Sequence, residues 1–124
     1  MANLNELLKE MADEIPGLIT ISVVGMDGLG IAHHSTSNEI DIESTNAQFA
    51  MVMKLVQKST DQLNDVMEDG LLTVEDTYVM MRFLGDSSFF LGITADASNA
   101  TLGNVRLITR QYSDAIWEAI PRRN

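Results

Sequence analysis

The sequence predicts an α/β (α+β) domain, built as a five-stranded antiparallel sheet with helices on both faces. Three observations carry this expectation. The stretches 18–34 and 71–95 are dense in apolar and β-branched residues and broken by turn residues, whereas 3–15, 43–67 and 100–120 repeat their apolar residues at helical spacing. The element order is therefore α-β-β-α-β-β-β-α, and both faces of the strands read as apolar, so helices are needed on each side. Finally, 124 residues at 45% hydrophobic content suit one domain with its own core, assigned here to 1–124.

Each element has a local reason. Leu4, Leu7, Leu8, Met11 and Ile15 form one stripe of the first helix, which Pro16-Gly17 stops. Asp27-Gly28 then predicts a two-residue hairpin turn of type I′ between 18–26 and 29–34. Parity across it places Ile19, Ile21, Val23, Ala32 and His34 on one face, with Leu18, Val24, Leu29, Ile31 and His33 on the other, both covered. The polar run 35–41 reads as a loop. A long helix over 43–67 follows, with Thr45 and Gln48 as a capping box and Phe49, Val52, Met53, Val56, Thr60, Leu63, Val66 and Met67 as its apolar stripe. Asp69-Gly70 ends it. At 1.5 Å per residue it spans about 37 Å, more than a small domain needs for its own core. Strands are expected at 71–75, 77–84 and 88–95, with a three-residue loop, Gly85-Asp86-Ser87, grouping Val79, Met81, Phe83, Phe89, Leu91 and Ile93 on one face. The last helix, 100–120, turns Leu102, Val105, Ile108, Tyr112, Ala115, Ile116 and Ala119 inward.

Composition removes several function classes. A net charge of −10 argues against duplex DNA or an anionic membrane as the main partner. The absence of cysteine excludes disulfides, thiolate metal sites and a cysteine nucleophile. No stretch has the length and hydrophobicity of a membrane span and no signal peptide is visible, so a cytoplasmic location is expected. Gly25, Gly28 and Gly30 do not match the dinucleotide fingerprint and lead into a strand, not a helix N-terminus. His33 and His34 point to opposite faces and lack a ligand two residues along, so no metal or cofactor is expected. No serine-hydrolase motif is present, and an enzyme is not expected. The acidic pairs Asp13/Glu14, Glu68/Asp69 and Glu75/Asp76 read as solvated charge at element ends. Asn99-Ala100-Thr101 reads as the start of the last helix, and Arg106, Arg110, Asp114 and Glu118 as a self-pairing ladder along it.

Two features point to binding. Ala47, Met51, Lys54 and Lys58 form a second stripe on the long helix, away from its apolar one. This stripe is either a docking face for a partner or a solvated face with incidental lysines. The strand 71–75 has no proline or charge guarding it until Glu75, so as a sheet edge it invites pairing with a second copy. Leu71, Leu72, Thr73 and Val74, with Val66 from the helix alongside, are the expected dimer interface.

The order of elements, with "IPGLITISVVGMDGLGIA" and "GLLTVEDTYVMMRFLGDSSFFLGITAD", resembles the Roadblock family of dynein light chains and bacterial MglB regulators. The resemblance covers about residues 3–120. It implies an architecture related to profilin and longin domains, with the first and last helices on one sheet face and the long helix on the other. It further implies a homodimer joined through the long helix and third strand into ten continuous strands. The implied function is non-enzymatic: binding a small Ras-like GTPase, with stimulation of its hydrolysis in MglB-like members but no arginine finger. A motor-complex light-chain adaptor and a small-molecule sensor of PAS or profilin-like type are the alternatives, the latter expected to show a sizeable cavity.

Overall fold

The structure, a computed structural model, describes residues 3–37, 40–64 and 67–121. Its elements are α1 (Leu4–Asp13), β1 (Leu18–Gly25), β2 (Gly30–Ser35), α2 (Ile42–Gln62), β3 (Gly70–Val74), β4 (Thr77–Leu84), β5 (Phe89–Asp96) and α3 (Leu102–Ala119). The strands form one antiparallel sheet in the order β2-β1-β5-β4-β3, which leaves β2 and β3 as its two edges. One face carries α1 and α3 over a core that includes Leu8, Met11, Ile21, Leu91, Ile93 and Ile116. The other carries α2 alone over Val24, Ala50, Met53, Met81 and Phe90.

The first hairpin keeps its expected register by a different route. Gly28 alone of the turn residues has positive φ (+92°), and Gly25 N–H bonds Leu29 O, so the loop has three residues rather than two. A bulge between Val23 and Val24 absorbs the extra residue and restores the pairing of Val23 with Ala32 and Ile21 with His34. A second irregularity, between Leu18 and Thr20, turns Leu18 into the α1/α3 core, opposite to the expected face. Leu29 and Ile31 are 68% and 42% exposed, because α2 does not reach over this edge.

The β4–β5 connection also departs from expectation. Leu84 pairs with Phe89, so the loop has four residues, with Gly85 and Ser87 at positive φ. The even count splits the grouping expected from a three-residue loop. Met81 and Phe90 face α2, while Met80, Leu84, Leu91 and Ile93 face α1 and α3. A single apolar face is not required, because a helix covers each side.

Caps explain the helix starts. Asn3 accepts the Glu6 N–H (2.9 Å) and Thr101 accepts the Asn104 N–H. Asp41, not Thr45, caps α2 by accepting the Ser44 N–H (3.1 Å), so the helix starts one residue before the expected 43. It ends at Gln62 instead of 67, where Leu63 is followed by Asn64 in the left-handed region (φ 53°). Its 21 residues span about 31 Å. On α3 the buried positions include Thr109 and Ser113, whose hydroxyls bond Val105 O and Thr109 O, while Ala115 is exposed.

Candidate interaction surface

Helix α2 is anchored along a narrow line. Its buried residues are Asn46, Ala50 and Met53, and it rests where the sheet is built of small residues such as Thr20, Ser22 and Gly92. The expected inward stripe is therefore rotated. Phe49 and Val56 are half-buried, whereas Val52 and Leu63 are exposed to 38% and 74%. Leu55, outside that stripe, lies on the crest of the helix at 68%. Among the described residues of the stripe, Met53 alone is fully enclosed.

The exposed apolar residues continue onto the sheet edge. Leu72 pairs with Val79, two residues from Met81, and so shares the α2 face with Val74. Both are about half exposed. Leu71 packs into the opposite core and Thr73 is exposed beside it. Val66 lies outside the described residues. Sequence reasoning missed Leu55, Val52 and Leu63 as surface residues; the exposed apolar positions became visible only once the helix had a fixed rotation.

Ala47, Met51, Lys54 and Lys58 are all exposed, on the flank of α2 toward the β1–β2 turn. Ala47 lies against Gly28, and Lys54 shares a cleft with Met26, Asp27 and Leu29. The four are a continuous strip at helical spacing, separated from the β3 side by the crest at Leu55. Beneath α2 the space beside Asn46, Phe49 and Phe90 is about 20 Å³, enough for roughly one water molecule and not for a metabolite.

Arg82, Arg106 and Arg110 are engaged elsewhere. Arg110 Nε lies 2.7 Å from Glu68 Oε1, Arg106 Nη2 lies 3.1 Å from Asp69 Oδ1, and Arg82 Nη1 lies 3.6 Å from Glu68. This corrects two expectations. Glu68/Asp69 is not merely solvated charge, and the guanidinium groups of α3 reach the α2–β3 connection rather than only their own helix. The hydrogen bond and charge of Arg110 hold the Glu68 carboxyl below its ordinary value. Among the described residues, no group of three or more His, Asp or Glu is placed to hold a metal.

The arrangement of five antiparallel strands, paired helices on one face and a single helix on the other has close counterparts among solved structures. MglB of Myxococcus xanthus superposes with a TM-score of 0.84, covering 93% of this chain and 92% of that one at 17% identity. An MglB with a tetrameric arrangement gives 0.84, covering 94% and 86% at 18% identity. A Roadblock/LC7 domain from Streptomyces avermitilis gives 0.82, covering 93% and 95% at 11% identity. The chain has the Roadblock fold. No family model matches the sequence, and no curated protein matches it, so the likeness is one of architecture. In this fold the lone helix α2 and the free edge β3 lie on the same side, and no described helix is long and apolar enough to cross a membrane.

Proposed function

We propose that this chain is a homodimeric, non-enzymatic scaffold or regulator that binds a small Ras-like GTPase in the cytoplasm. The observation that carries the dimer is the apolar belt of Val52, Leu55, Leu63, Leu72 and Val74 beside an unpaired strand edge. Such a belt is costly to leave in water. Pairing β3 with its symmetry mate through Leu71, Leu72, Thr73 and Val74 gives one sheet of ten strands and brings the two α2 helices side by side. The Val74–Thr77 pair closes a two-residue turn, and alternation from it points the Thr73 N–H away from β4.

The GTPase reading rests on the Roadblock fold and on the strip Ala47, Met51, Lys54 and Lys58. Its two lysines offer positive charge from a chain of net −10, suited to an acidic patch on the partner. The engagement of Arg82, Arg106 and Arg110 by Glu68 and Asp69 favours a role without an arginine finger. In this reading any stimulation of hydrolysis comes from ordering the partner's own groups.

Light scattering tests the dimer. The wild type should weigh twice the 13.7 kDa chain, and Thr73→Pro should be monomeric; a dimer that survives this change moves the interface elsewhere. The docking strip is tested with a Ras-like GTPase loaded with GDP or a non-hydrolysable GTP analogue. Lys54→Glu/Lys58→Glu should weaken binding at least tenfold while the dimer persists, and unchanged affinity would place the contact on another face.

A further inference from the structure

We infer that the other sheet edge, β2, is a strand-addition site for an extended peptide segment that is basic toward its N-terminal end. This goes beyond the GTPase reading and does not depend on it.

The register decides what the edge offers. Thr36 donates its N–H to Ile19 O (2.9 Å), and the pairs Ile21–His34 and Val23–Ala32 follow at steps of two. Alternation of an antiparallel ladder then turns the main chain of His34 and Ala32 toward β1, and that of His33 and Ser35 away from it, while Ile31 falls at the bulge where the alternation breaks. No strand of this sheet lies beyond them. From Ala32 to Ser35 the strand has no proline, lysine, carboxylate or bulge to discourage pairing, and Ile31 stands exposed at the bulge that precedes this stretch.

Both sides of the edge are recessed. On the α2 face, a cleft of about 440 Å³ lies between β2 and the first turns of α2, and one of about 560 Å³ lies beside the β1–β2 turn. On the opposite face, about 420 Å³ lies open between Leu4, Ala32 and Ala119. An added strand alternates its side chains between these two sides, and pairing along the regular stretch from Ala32 to Ser35 spans about 13 Å.

Charge sets the direction. The cleft beside residues 25–31 holds Lys54, and the one reaching Ala32 and His33 holds Glu43. Asp27 shares the cleft with Lys54 and keeps its negative charge while accepting the Leu29 N–H at 3.0 Å, so that end is balanced, whereas the cleft of Glu43 is lined by no lysine or arginine. An antiparallel sixth strand places its first residues near Glu43. A basic residue there complements the groove.

The test is selection of displayed random octapeptides on the full chain, followed by fluorescence anisotropy with the best synthetic peptide. The expected peptides alternate β-branched residues, with Lys or Arg early. His33→Pro removes an outward donor without touching the bonds to β1, so it should lower affinity at least tenfold with dimer mass and circular dichroism unchanged. Ile31→Lys serves the same purpose if the proline variant does not fold. Glu43→Lys should reverse the preference at the early position from basic to acidic. Selected peptides without alternation, or equal affinity for both edge variants, overturn the proposal. Growth of the chain past a dimer that His33→Pro abolishes overturns it in favour of a second copy as the occupant. GTPase retention by His33→Pro is scored separately, so each reading fails on its own.

Discussion

The two faces of the sheet are finished to different degrees. Under α1 and α3, large residues from two helices and four strands enclose one another, with Leu8, Met11, Leu91 and Ile116 fully buried. Under α2 only a short line of contacts is closed, and the helix keeps Met51, Val52, Leu55 and Leu63 in solvent. The contrast separates two uses of apolar residues. One face stabilises the single chain, and the other keeps surface in reserve for a neighbour.

Mutations sharpen that contrast. Leu8→Ala on the closed face should cost about 3 kcal/mol, seen as a fall of about 10 °C in Tm at any protein concentration. Gly85→Ala should cost about 2 kcal/mol in chemical denaturation. Its φ is +52°, and a Cβ would sit 2.1 Å from the Trp117 ring. On the open face, Leu55→Asp should change monomer stability by less than about 0.5 kcal/mol, yet weaken dimerisation at least tenfold by sedimentation. A loss of stability as large as that of Leu8→Ala would erase the distinction between the faces.

Two smaller effects concern polar ties on the closed face. The Tyr112 hydroxyl donates to Glu14, and this bond, aided by burial, pushes the phenol up to about 12. A raised value means the bond's contribution is complete below pH 10 and is lost as pH rises toward 12. Tyr112→Phe should therefore cost about 1 kcal/mol at pH 8, measured by urea titration. Glu68 works in the opposite sense, since Arg110 lowers its value. Its contribution is present above its ordinary 4.5 and is lost as pH falls through the lowered value. Glu68→Gln should be slightly less stable than wild type at pH 7, with the gap closing on acidification below pH 4.5.

The order of elements was legible because helical and strand periodicities are local signals, and the Pro16-Gly17 and Asp27-Gly28 breaks stand where the chain turns. What was not legible depends on distant residues. The loop after Leu84 was miscounted because the three-residue choice sought a single apolar face, whereas a helix on each side makes both parities acceptable and leaves the count to the packing. The rotation of α2 follows from Thr20, Ser22 and Gly92, small residues on strands far from it in sequence. Leu55 therefore carried no mark of exposure in its own segment. Glu68 and Asp69 looked like ordinary surface charge because Arg106 and Arg110 lie some forty residues further on. The strip of Ala47, Met51, Lys54 and Lys58 was readable as a surface, since its spacing alone places it on one flank.

Trp117 gives this asymmetry an optical consequence. It is the chain's sole tryptophan, held over Gly85 with its ring edge-on to Phe89 at 6.5 Å, on the closed side of the sheet. Its emission should follow the melting of that layer and stay constant when a neighbour covers α2 and β3. A tryptophan placed at Leu55 would read the reverse. Folding and association in this protein are thus separable by wavelength shift alone, with one native reporter and one added.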